Sequence, residues 1–174
     1  MGKYVIVGDG AMGTICAIML SENGYAVTLW SAFESQADDM LRHRENRRFL
    51  PGHKLCDSIT VTGDDAVVFD DVEVVISAVP TQFMRSVWQR LKGCYPAGTP
   101  ICSITKGIEN GTLLTPTMIL ADILGDSAGE LAALSGPSIA PEIAAHLPAT
   151  VTIASDSSGF AEKVQAAITR PYFR

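Results

Sequence analysis

No apolar run in the 174-residue chain is long enough to cross a bilayer, which excludes a membrane-spanning helix within it. A secretory leader is not legible either, because Met1 to Val7 reads as a strand and glycines follow at once. Cysteine is sparse. Cys16, Cys56, Cys94 and Cys102 form no C-x-x-C pair, and their spacing suggests neither a zinc site nor a disulfide framework. Reduced thiols in the cytoplasm are the expectation, with Cys16 a small core residue. His43, His53 and His146 lie far apart without ligand spacing, so no metal is assigned. Positive charge is also short. Lys and Arg number 13 against 19 Asp and Glu, giving a net charge of −6, and the pI is near 4.9. That balance argues against a general nucleic-acid or anionic-membrane binder, but a locally basic pocket for a small anionic substrate stays open.

Apolar residues are abundant. They make up 47% of the chain, and the mean hydropathy is +0.22. The length suits one domain with a full core. The excess reads in two ways: as the buried strands of a parallel sheet, or as surface that a partner domain or the second copy of a homodimer would cover.

Strand and helix patterns alternate throughout. Strands are expected at Tyr4–Val7, Ala26–Trp30, Ile59–Thr62, Val72–Val79, Pro100–Ile104, Leu131–Leu134 and Thr150–Ala154. Helices are expected at Ala11–Leu20, Glu34–Arg48, Thr81–Leu91, Met118–Leu124, Ser138–Ala145 and Ser158–Ile168, with Thr81 as a cap. The expected class is α/β, a Rossmann-like doubly wound, mostly parallel sheet with helices on both faces. Residues 1–174 form one dinucleotide-binding domain in this reading. The cluster Arg42, His43, Arg44, Arg47 and Arg48 reads equally as a solvated helix face or a phosphate-facing patch.

The most informative segment is Gly8-Asp9-Gly10-Ala11-Met12-Gly13, a G-x-G-x-x-G turn lodged between a strand and a helix. The first glycine permits the tight turn, the second lets backbone approach a pyrophosphate, and the third lets helix and strand pack closely. The exposed N–H groups and the helix dipole favour phosphate charge. Ligands of such sheets gather beyond the carboxyl ends of the strands. Four turns qualify and should open onto one crevice: Gly8–Gly13, Val79-Pro80-Thr81, Thr105-Lys106-Gly107 and Ser135–Ser138.

In order along the chain, these turns resemble the N-terminal half of NAD(P)-dependent glycerol-3-phosphate dehydrogenase. The matching pieces are Gly8–Thr14, Asn46-Arg47-Arg48-Phe49-Leu50-Pro51-Gly52, Ala78–Thr81, Ser103–Glu109, Leu134–Glu142 and Leu147–Thr150. The resemblance implies hydride transfer between NAD or NADP and dihydroxyacetone phosphate, giving sn-glycerol 3-phosphate for glycerophospholipid synthesis. It implies cofactor contacts at Gly8, Gly10, Ala11, Met12, Gly13, Ala32, Phe49, Pro80, Lys106 and Ala140. It places Lys106, Gly136 and Ser138 at the phosphate substrate, with Lys106 the catalytic residue of this half. Reduction of a ketone builds charge on its oxygen, which a nearby cation or proton donor relieves. Ser138 also reads as a helix cap.

The chain departs from the family at three places. Met12 replaces a usual aromatic. The second strand ends Leu29-Trp30-Ser31-Ala32-Phe33, with neither the acid common at an NAD site nor the basic residue common at an NADP site. Ser31, Arg47 and Arg48 are candidates to fill in, and the choice between NAD and NADP stays open. The sequence stops at Arg170–Arg174, where the family's helical substrate domain and main catalytic lysine begin. The expectation is that this domain is absent from the chain, which then binds NAD(P)H weakly and turns over little. A ketopantoate-reductase-like dehydrogenase domain and a non-catalytic nucleotide-binding module are the alternatives.

Overall fold

The computed structural model describes residues 2–174. The first strand, β1 (Lys3–Val7), shows how the sheet is built. Its side chains alternate between faces. Tyr4 and Ile6 join one buried cluster, and Val5 and Val7 join another on the opposite face. Both faces are covered, so the strand carries an unbroken apolar run rather than a polar–apolar alternation. The pattern repeats in β4 (Val72–Ser77), where Val74 and Ile76 face one cluster and Val75 the other.

Seven strands form one sheet in the order β3-β2-β1-β4-β5-β6-β7, where β2 is Ala26–Trp30, β3 Ile59–Thr62, β5 Ile101–Ser103, β6 Leu131–Ser135 and β7 Thr152–Ser155. All neighbours are parallel except β6 and β7, which run antiparallel. The chain steps outward from β1 through β2 to β3, then crosses back to place β4 against β1. That reversal leaves a crevice above the ends of β1 and β4, where doubly wound sheets take their ligands.

Helix α1 (Ala11–Glu22) is buried along most of its length, from Gly13 to Leu20. It lies beneath α5 (Ala140–Ala144) and α6 (Ser158–Ile168) on one face, so it has little need of a polar side. Helices α3 (Thr81–Leu91) and α4 (Pro116–Leu124) pack together on the other face. No helix among the described residues is long and apolar enough to cross a membrane.

The expected Rossmann-like sheet is present, with differences at element ends. Helix α2 runs only from Glu34 to His43, not to Arg48. Arg44 turns left-handed at φ 48° and donates its guanidinium to the carbonyls of Cys56 and Ile59, stopping the helix without a glycine or proline. Strand β4 ends at Ser77, so Ala78 and Val79 belong to the turn. Thr81 is not a cap: Pro80 holds that position and Thr81 is the first helical residue. Helix α5 begins at Ala140 with Ile139 as its cap residue, so Ser138 caps nothing. The last residues are tied back, with the Ala149 N–H donating to the Tyr172 carbonyl at 2.8 Å and the Arg174 N–H to the Ala149 carbonyl at 3.0 Å.

Candidate active site

The glycine turn is fixed by close backbone packing. Gly8 has φ +112°, and a Cβ there would lie 2.9 Å from the Ala78 carbonyl. A Cβ on Gly13 would collide with the Gly8 carbonyl oxygen, so only glycine lets α1 start this close to β1. Above Gly10, by contrast, a Cβ would meet nothing within 4 Å. No side chain caps the start of α1. Open space over an uncapped helix N-terminus is the environment a pyrophosphate needs, so these residues fit a dinucleotide.

A buried asparagine braces this turn. Asn46 donates its side-chain amide to the Asp9 carbonyl at 2.6 Å and to Thr14 Oγ1 at 2.7 Å. Its Oδ1 accepts from the Phe49 N–H at 3.1 Å and from Gln36 at 3.3 Å. The segment Asn46–Gly52 is thereby fastened to the cofactor turn.

Two cavities meet at the Ala78–Pro80 turn. One, of about 520 Å³, is lined by Gly8, Asp9, Gly10, Trp30, Ala32, Phe33, Arg48, Phe49 and Arg90, together with residues of the turn and α3. The other, of about 340 Å³, is lined by Met12, Thr81, Thr105, Lys106, Gly107 and Ile108, among others. Ala78, Val79, Pro80 and Phe83 line both. The basic cluster is divided. Arg47 pairs with Asp39 at 2.5 Å, Arg44 serves the backbone, and of the five only Arg48 lines the larger cavity, its guanidinium 4.8 Å from the Phe49 ring centre.

Across the crevice, Lys106 Nζ donates to the Gly136 carbonyl at 2.8 Å and to Ser138 Oγ at 3.1 Å. An ammonium has three donors, so one N–H is left with no acceptor among the described residues. The Lys106 carbonyl accepts from Thr81 Oγ1 at 2.7 Å. Thr105 Oγ1 donates to the Val79 carbonyl at 2.7 Å. The turns after β4, β5 and β6 are therefore joined directly, and the first shares a cavity with the glycine turn.

Of the residues singled out from sequence, Gly8, Gly10, Ala32 and Phe49 line the larger cavity, Met12 and Lys106 the smaller, and Pro80 both. Gly136 and Ser138 hold the lysine. Ala11 and Gly13 sit in the first turn of α1, and Ala140 is buried at the start of α5; none of the three lines either cavity. Ser31 is fully buried and engaged with Asp9 and the Phe33 backbone, so it does not present a free hydroxyl. Arg90 was not legible as a site residue, and the partners of Asp9, Asn46 and Thr81 were not legible within the segments read from sequence, because the contacts span 22 to 58 positions.

Burial pushes the half-buried Asp9 carboxyl up from its usual 3.8, against the opposing hydrogen bond from Ser31 and the charge of Arg48. Arg85 pulls Glu109 down, with bonds of 2.9 and 2.8 Å to its two oxygens, and also reaches Asp122 at 2.7 Å. This pairing ties α3 to the loop after Lys106 and to α4.

Residues 3–161 match the family model described as NAD-dependent glycerol-3-phosphate dehydrogenase N-terminus. A glycerol-3-phosphate dehydrogenase [NAD(P)+] from Solidesulfovibrio magneticus is 36% identical over 172 residues, covering 99% of this chain and 52% of that protein. One from Anaeromyxobacter sp. (strain K) is 39% identical over 173 residues, with the same coverage of 99% and 52%. The crystal structure of glycerol-3-phosphate dehydrogenase from Coxiella burnetii superposes with a TM-score of 0.92 at 31% identity, over 99% of this chain and 52% of that one. The chain thus spans about half the length of the relatives it matches. With the glycine turn, the lysine crevice and these likenesses in agreement, the chain belongs to the family of NAD-dependent glycerol-3-phosphate dehydrogenase N-terminal domains.

Proposed function

We propose that this chain is the cofactor-binding half of an oxidoreductase that interconverts dihydroxyacetone phosphate and sn-glycerol 3-phosphate with NAD(P)H, in the cytoplasm, feeding glycerophospholipid synthesis. The observation that carries the reading is Lys106, an ammonium held by Gly136 and Ser138 beside the glycine turn with one N–H to spare. The backbone of Gly8 to Gly13 would hold the pyrophosphate, and the residues about Ala32 and Phe49 the adenosine end. Met12, Pro80 and Lys106 would border the reacting end. When bound, the reduced nicotinamide supplies a hydride to the ketone carbon.

The chain's own contribution is positioning and charge. The spare N–H of Lys106 would meet the ketone oxygen and stabilise the negative charge that builds there. Gly136 and Ser138 fix the ammonium in place, so little reorganisation is needed during reaction. Lys106 is the one cation lining its cavity, which is little to hold a phosphate dianion. The proposal therefore includes a further helical domain that completes the substrate site. Turnover by the 174 residues alone is expected to be low.

The test is a fluorescence titration of the purified chain with NADH and with NADPH. Saturable binding of either supports the reading. Binding of neither overturns it. Turnover of dihydroxyacetone phosphate by the chain alone at rates ordinary for an enzyme would overturn the two-domain part.

A further inference from the structure

We propose that Asp9, inside the glycine turn, makes this site selective for NAD over NADP, in place of the acid that β2 lacks. The inference rests on the cofactor reading above. Selection of NAD requires an acceptor for the ribose hydroxyls that also repels a 2′-phosphate, and that acceptor ordinarily stands at the end of the second strand. Here that end is Trp30, Ser31 and Ala32, with no carboxylate. The structure brings one there from another segment. Asp9 Oδ2 accepts from Ser31 Oγ at 3.0 Å, so a carboxylate from the turn after β1 lies against the first residue beyond β2. Asp9, Trp30 and Ala32 line the same cavity. Besides Ser31, only the backbone at Asp9 itself bonds the carboxylate, which keeps lone pairs to accept from a ligand.

Ser31 fixes the carboxylate's position. It is fully buried, and its hydroxyl oxygen also accepts from the Phe33 N–H at 3.2 Å. Asp9 is held from behind as well, because its carbonyl accepts from Asn46 at 2.6 Å. The acceptor is thus held in place before a cofactor arrives, as a selective site requires.

Two cations on the lining bear on the outcome. Arg90 has its charge matched by Asp65 and three of its five N–H donors engaged. It forks onto both oxygens of Asp65 at 2.5 and 2.7 Å, donates to the Ala32 carbonyl at 3.0 Å and lies 5.1 Å from the Trp30 ring centre. Arg48 is exposed, stacks on Phe49 and has no ion pair among the described residues. It stands with Phe49 at the adenosine end and its charge also acts on Asp9, so it is the competing cation there. A 2′-phosphate would add a dianion beside Asp9, where like charges repel. Ala32 supplies no cation to offset it.

The experiment measures dissociation constants for NADH and NADPH by fluorescence titration of the wild-type chain, Asp9→Asn and Arg48→Ala, each checked for its fold by circular dichroism. The wild type is expected to bind NADH at least about tenfold tighter, the equivalent of about 1.4 kcal/mol. Asp9→Asn should collapse that ratio towards one, by tightening NADPH, weakening NADH or both. A purely structural role for Asp9 would weaken both cofactors alike, keep the ratio and overturn the proposal. A wild-type preference for NADPH overturns it directly, and loss of that preference in Arg48→Ala would make Arg48 the selector instead. Should Asp9→Asn fail to fold, the same ratio is read on Asp9→Ala, where it should collapse in the same way and where a retained ratio overturns the proposal. Binding of neither cofactor overturns the cofactor reading itself, an outcome distinct from binding both without preference.

Discussion

Asn46 and Asp9 are joined through a side-chain amide and a backbone carbonyl 2.6 Å apart, although 37 residues separate them. The same amide serves Thr14 Oγ1, and the whole side chain is buried. Asn46→Ala would leave the Asp9 carbonyl and the Thr14 hydroxyl without this partner. A buried polar group stripped of its partner costs about 1–3 kcal/mol. Urea unfolding should show a loss in that range, with weaker NADH binding as the turn loosens. Asn46→Asp should be worse, because a carboxylate oxygen would face the Asp9 carbonyl. An unchanged urea midpoint in both variants would show that the brace is not used.

Lys106 differs from Asn46 in being exposed, so its removal should spare the fold. The Tm of Lys106→Met should match the wild type, as surface substitutions usually fall within about 0.5 kcal/mol. In the dehydrogenase proposed to contain this domain, loss of one donor to a developing oxyanion should lower kcat/KM by about 10²–10³. Lys106→Arg should restore only part, because a planar guanidinium does not reproduce the contacts of an ammonium to Gly136 and Ser138. Steady-state kinetics beside thermal melts would check both halves. An unchanged kcat/KM in Lys106→Met would remove Lys106 from the reaction.

The local features of this fold were legible because each is written in neighbouring residues. The run Tyr4–Val7, the glycines at 8, 10 and 13, and the strong strand before Pro80 need no distant partner to be read. Lys106, Gly136 and Ser138 were also singled out, although nothing in their spacing shows that they touch; the strand-end rule and the family resemblance placed them together. Arg44 was misread because an arginine in a polar run gives no sign of a left-handed φ. Thr81 and Ser138 looked like caps because hydroxyls beside helix starts usually are. Both are instead taken up by the Lys106 segment, a long-range demand that local propensity does not carry. Asp9 was hidden for the same reason: its variable place in the motif gains meaning only from Ser31 across the turn.

The thiols fall into two classes. Cys16 and Cys102 are buried, and desolvation pushes each pKa up to about 12. The thiolate is the reactive form, so both should be inert in the folded chain at pH 8. Cys94 is exposed and Cys56 partly so. A thiol-specific dye should label Cys94 promptly and Cys56 more slowly, and the remaining two only after denaturation. Peptide mapping of the labelled chain would check the assignment; early labelling of Cys16 would mean that α1 opens far more readily than its packing implies.

Asp9 and Glu109 should give stability opposite dependences on pH. Glu109 is held below its usual 4.5 by Arg85 and then Thr112. Its contribution is present above the unfolded value and lost as pH falls through the lower folded value. Asp9 is held above 3.8 by burial, so the fold disfavours its ionised form. Its penalty is absent below about 3.8 and grows as pH rises through the higher folded value. Asp9→Asn should therefore raise Tm at pH 7, with the gain fading as the medium is acidified past that range. Glu109→Gln should lower Tm at pH 7 and flatten the acid limb. Melts of both variants from pH 3 to 8 decide the matter. A gain from Asp9→Asn that persists at pH 3 would assign its effect to packing rather than charge. A gain confined to neutral pH would mean that the turn keeps, at a cost in stability, an ionised carboxylate that a cofactor hydroxyl can use.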